Sequence, residues 1–191
     1  YVHTNPSVST SGLEAVSGAY VAATGKKEGL TVADVERPAV SREIAGIEQS
    51  IVHYGDTTDF IRAQLVKNGP SYASAAAMEE TTLVAFNKNR GGQPKLVGIY
   101  PREGSFYSDS PYIVLQAPWV DAGERAAAAD FQRFLAKYVT PAVAASDGFR
   151  PPDPDTAPVP PVDAAHGADP KQPAIELMPL ADFAGRRNWG Y

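Results

Sequence analysis

NPSVSTSGLEAVSGAYVAATG, residues 5–25, decides how the chain is read, because it sets three hydroxyl side chains and a glycine at the mouth of a helical pattern. Leu13, Val16, Tyr20 and Ala23 recur at i, i+3, i+7 and i+10, and Gly25 supplies a stop, so the spacing predicts an amphipathic helix. Ser9, Thr10 or Ser11 caps it, and Glu14, three residues beyond Ser11, completes a capping box. A cap needs one hydroxyl, not three and Gly12. Free amides at a helix N-terminus beside small donors also receive a ligand's oxygen atoms. A third reading makes Ser11 a nucleophile, since His53 and Asp56 complete the residue types of a triad. The G-x-S-x-G elbow is absent, which argues against a hydrolase.

Downstream, Val40, Ile44, Ile47 and Ile51 mark a second helix after Pro38. In HYGDTTDFIRAQLVKNG, 53–69, Gly55 is expected to end that helix. Asp56 or Thr57 then caps another, carrying Phe60, Ile61, Gln64 and Leu65 and closed by Asn68-Gly69. GDTT at 55–58 repeats the form of the opening motif, and two such caps suit two sides of one pocket. Residues 72–76 read as a short buried strand and 79–87 as a helix, although the alanines at 73 and 75–77 allow either, with Glu79 and Glu80 favourable at the helix's positive end. Facing a cleft, Glu80 would select a donor or a cation. KLVGIYP, 95–101, and PYIVLQAP, 111–118, read as strands by their β-branched and aromatic content. Between them Gly104, Ser105, Ser108 and Asp109 make a loop that can present Tyr100 or Tyr107 to a ligand. The longest helix is expected over 123–143, with Phe131, Phe134, Leu135, Tyr138 and Val139 on its apolar face and Pro141 ending or kinking it. Residues 150–173 hold eight prolines without periodicity and read as an extended wrap or linker. Residues 175–191 are apolar enough to dock as a short element and equally suit a frayed end. Helices alternating with strands give an α/β class.

Composition narrows the partners. The 191 residues are 43% hydrophobic and 20% charged, enough apolar material for a buried core. A net charge of −5 without a basic patch argues against a nucleic-acid partner. Cysteine is absent, and the three histidines, His3, His53 and His166, have no metal-site spacing, so neither a metal nor another cofactor is expected. No stretch is long and apolar enough to span a membrane. The chain opens at Tyr1 rather than Met and is read as a segment of a longer protein.

Five stretches in order, NPSVSTSGLEAV, IEQSIVHYGDTTDFI, LVGIYPREGSFYSDSPYIVL, PWVDAGERAAAADFQRFLA and SDGFRPPDP, carry a resemblance. They resemble the extracellular solute-binding domain placed upstream of a von Willebrand factor A domain in actinobacterial membrane-associated proteins. That domain is distantly similar to periplasmic receptors for molybdate and other oxyanions. The resemblance implies a type 2 periplasmic-binding-protein architecture, of which the chain supplies one lobe and the terminal part of the other. Residues 1–99 would form the second-lobe α/β domain, and 100–148 the crossover with a first-lobe strand and long helix. Residues 149–191 would be a Pro-rich wrap and C-terminal segment. The amino-terminal half of the first lobe has no counterpart here. The ligand-facing positions then fall on Ser9, Ser11 and Gly12, on Tyr54, Gly55 and Asp56, and on Glu79 and Tyr100. The implied function is non-enzymatic binding of a small polar or anionic solute at the cell surface, beside an A domain of the parent protein. The alternative is a structural or protein-interaction element with a vestigial cleft.

Overall fold

The computed structural model describes residues 1–108, 111–153 and 155–171. Its centre is a small parallel sheet. Strand β1 (Val2–Thr4) pairs with β2 (His53–Gly55), matching Val2 to His53, His3 to Tyr54 and Thr4 to Gly55. On the other edge of β1, Val2 forms a parallel bridge with Ala76. There the Val2 amide donates to the Ala75 carbonyl and the Ala77 amide to the Val2 carbonyl, both at 3.0 Å. The expected strand at 72–76 is thus reduced to one bridge, and the spatial order is β2, β1, then 75–77.

Connections run over both faces. After β1 come α1 (Thr10–Thr24), α2 (Val32–Val35) and α3 (Pro38–Gln49). Val16 and Tyr20 of α1 pack with Val35, Val40 and Ile44 in one core, the stripe that the sequence spacing predicts. After β2 come α4 (Thr58–Asn68), a 3-10 turn at Gly69–Ser71, and α5 (Glu80–Lys88). Val2, Ile61, Leu65, Ala73 and Phe86 form the second core. Successive strand residues face opposite ways, so Val2 and Thr4 look toward α4 and α5. His3 looks the other way, toward Tyr54 and Glu48. The molecule is a mixed α/β domain.

Four expectations need correction. The second helix ends at Gln49, so Ile51 lies beyond it, and Gly55 closes β2 instead of a helix. Residues 95–101 join no sheet among the described residues. Leu96 and Tyr100 turn inward and Val97 and Ile99 outward, the period of a strand without a ladder. Both edges of β1 are already taken, and the segment's polar groups go to single partners instead: the Leu96 amide to Asn87 Oδ1 and the Gly98 amide to the Gly167 carbonyl. Residues 111–118 are likewise in no sheet among the described residues, and lead into α6 (Ala122–Tyr138), which buries none of its residues. Pro141 ends the long helix and starts a separate one, α7 (Pro141–Ser146), as expected of a ring that fits a first helical turn and not a helix interior.

The Pro-rich segment lies on α5, where Val162 and Ala168 pack on Val84. Asn87 Nδ2 donates to the Leu96 and His166 carbonyls at 2.9 and 2.7 Å, stitching three stretches together. Asp109, Pro154 and the closing stretch 175–191 lie outside the described residues.

Candidate functional site

The chain leaves β1 toward one face of the sheet and leaves β2 toward the other, so the connections diverge beside β1. In open parallel sheets the crevice at such a divergence, beyond the carboxyl ends of the strands, is where ligands are received. Here it lies between the turn after β1, residues 5–12, and the turn after the Ala76 bridge, residues 77–80.

The first turn is held tightly. The Asn5 amide donates to the Gly55 carbonyl at 2.8 Å, and the Val8 and Ser9 amides return to the Asn5 carbonyl at 3.1 and 2.9 Å. Gly12 is buried against the Thr4 carbonyl and Pro6 with no room for a Cβ, so a glycine is needed for α1 to start this close to the strand end. Ser9 is the N-cap by backbone but makes no side-chain cap bond. The expected Ser11–Glu14 capping box is therefore not formed. The Ser11 hydroxyl instead crosses the crevice and donates to Glu79 Oε1.

Glu79 joins two helix N-termini. It is the N-cap of α5 and accepts from Thr82 Oγ1 at 3.1 Å as well as from Ser11 on α1. Burial raises its pKa, but the hydroxyl and backbone hydrogen bonds outweigh that and hold the carboxyl below its ordinary range. Glu14, half-buried one turn along α1, shifts the other way. Burial and then the Glu79 charge raise its pKa, and it has no hydrogen bond or ion pair among the described residues. Glu79 is thus well supplied with donors, and Glu14 has none among the described residues.

The other expected site residues separate. Gly55 lies beneath the first turn, buried against Ile61. Tyr54 turns to the opposite face, donating to Glu48 Oε2 at 2.5 Å and meeting His3 edge-on at 5.2 Å. Burial and then that bond push its phenol up to about 12. Asp56 is exposed, and the following cap belongs to Thr57, whose Oγ1 accepts from the Phe60 amide. Tyr100 donates to Glu80 and accepts from the Asp169 amide. Glu80 is gripped by Arg150 through Nε and Nη2 at 2.6 and 2.8 Å, so it pins the Pro-rich segment instead of facing a cleft. His53 opens β2 and packs on Phe60 and Tyr72, and Ser11 is committed to Glu79, so no Ser11–His53 pair forms.

The sequence does not single out Thr82 or Thr4. Thr82 stands three residues after Glu79, a spacing that permits the bond but is equally common in plain caps. Among the described residues no group of three or more His, Asp or Glu could hold a metal, and no helix is long and apolar enough to cross a membrane. An apolar cavity of about 130 Å³, lined by Leu65, Pro70, Phe86 and Leu96 among others, includes none of the expected site residues. No family model, curated protein or solved structure matches the chain.

Proposed function

We propose that the chain is a binding module, not an enzyme, that holds a small polar solute at the carboxyl edge of its sheet. One observation carries the reading: the Ser11–Glu79 hydrogen bond spans the point where the connections diverge, with Gly12 and the N-termini of α1 and α5 around it. Donors and acceptors fixed on rigid elements give selectivity, because a wrong solute leaves them unpaired. A hydroxyl that donates to a carboxylate and has no histidine beside it suits recognition better than nucleophilic attack. The reading extends to the resemblance: one lobe, with part of another, of an extracellular solute receptor of type 2 architecture, carried at the cell surface beside a von Willebrand factor A domain.

The test is a thermal-shift screen against sugars, amino acids, amines and oxyanions, with Ser11→Ala as control, since a ligand of the native state raises its melting temperature. A shift lost in Ser11→Ala supports the module; no shift with any class overturns it. A second reading, a protein-interaction element, is favoured by α6, whose Phe131, Phe134 and Tyr138 are half exposed on one face.

A further inference from the structure

Helix α6 runs for 17 residues without burying one of them, yet its exposed side is patterned. Ala127, Phe131, Phe134 and Tyr138 follow at steps of four, three and four, the heptad spacing of a helix that packs along a seam with another helix. The three rings stand in a row, each about half exposed. Support comes from the other side. Ala128, Ala129 and Leu135 are partly covered, and Tyr112 donates to the Ala128 carbonyl at 3.0 Å. The chain thus holds α6 from behind, and no other described element lies along the seam. An aromatic patch of that kind marks an interaction surface.

The charges beside the seam select what covers it. The cap and first half of the helix, 121–130, carry Asp121, Glu124 and Asp130 against Arg125 alone. The second half, 131–138, carries only Arg133 and Lys137. A second copy running antiparallel sets acid beside base at both ends, whereas a parallel copy sets like beside like. Asp130 and Lys137 lie one heptad apart on the same flank of the seam, where interhelical ion pairs fix orientation. Both have capacity to spare. Asp130 Oδ1 takes Arg133 of its own helix, and Oδ2 has no partner among the described residues. Lys137 Nζ sits 5.3 Å from the centre of the Tyr138 ring and pairs with no carboxylate among the described residues.

We propose that two copies of this chain pair antiparallel through α6, with Phe131, Phe134 and Tyr138 as the apolar seam and reciprocal Asp130–Lys137 bonds setting the direction. Such a contact is two-fold, the same patch meeting itself. It stands independently of the solute reading. The seam from Ala127 to Tyr138 is only about 17 Å long, so the contact belongs to the small, transient class. The chain is expected to be a monomer at about 1 μM, the range of an unfolding experiment, and largely paired at about 1 mM.

The test is sedimentation equilibrium of the full chain from micromolar to millimolar concentration. Phe134→Ala should weaken self-association tenfold or more. Asp130→Lys and Lys137→Glu should each weaken it several-fold, because each sets like charges opposite one another. An equimolar mixture of those two variants should pair as tightly as the unaltered chain, since each then meets its opposite. All three positions are exposed, and circular dichroism checks that every variant folds. A monomer across the whole range overturns the proposal and leaves the seam to a different partner. Pairing unchanged in Phe134→Ala overturns the seam. Pairing that survives both charge variants, or that their mixture fails to restore, overturns the antiparallel arrangement.

Discussion

Helices α1 and α6 are written in the same amphipathic grammar and end in opposite circumstances. Helix α1 sets Val16 and Tyr20 into a core with α2 and α3. Helix α6 is longer and has a full capping box between Asp121 and Glu124, yet buries nothing. Its Phe131, Phe134 and Tyr138 rings form a row, with Phe134 and Tyr138 centred 4.3 Å apart, and Tyr112 of the preceding stretch leans on Phe131 at 6.0 Å. Periodicity specifies a conformation and which face seeks cover; whether cover exists depends on the elements around it.

The largest effect that sharpens this contrast comes from truncating one phenylalanine on each side. Phe86→Ala, at 1% exposure in the α4–α5 core, should cost about 3–5 kcal/mol in urea unfolding through the cavity it leaves. Phe134→Ala, at 50% exposure, should change stability by no more than about 0.5 kcal/mol. Equal losses would mean that α6 is packed in solution. Next comes the clasp on α5. Arg150→Met removes a partly buried, two-pronged bond to Glu80 and should cost about 1.5–3 kcal/mol. Limited proteolysis should then cut within 150–171 before any site in α4 or α5.

The smallest effect is the pH response of Glu79 and Glu14, and its signs are opposite. Glu79 has a lowered pKa in the folded chain, so its contribution is present above the ordinary carboxylate pKa and is lost as pH falls through the lowered value. Glu14 has a raised one, so its ionised form costs stability at neutral pH, and the cost fades as pH falls toward the ordinary value. Glu14→Gln should therefore stabilise the chain at pH 7 and do nothing near pH 3, whereas Glu79→Gln should destabilise at pH 7 and flatten the acid limb. Urea unfolding across that range checks both, and the same sign for both variants would break the account of the crevice.

The helices were legible because their apolar spacing and glycine stops act locally; Val16, Tyr20, Val40 and Ile44 meet as the pattern requires. The strands were less so. Val97 and Ile99 have strand chemistry, but a strand needs a neighbouring edge, and that is a property of the whole fold. At the site, Ser11, Gly12 and Glu79 were legible as residue types at helix starts, and the structure brings them together. Tyr54 and Tyr100 stand next to such motifs in sequence, but strand alternation sends one to Glu48 and the clasp takes the other to Glu80. Thr4, whose buried hydroxyl has no partner among the described residues, gave no signal at all, because an orphaned hydroxyl exists only after its neighbours are placed.

The most direct measurement is an amide chemical-shift map of the chain titrated with the solute that gives the largest thermal shift. Shifts confined to the amides of Ser11–Glu14 and Glu79–Thr82, with none along 127–139, are what a binding site between the two turns requires. Shifts on α6 with the crevice silent, or no shifts anywhere, would contradict it.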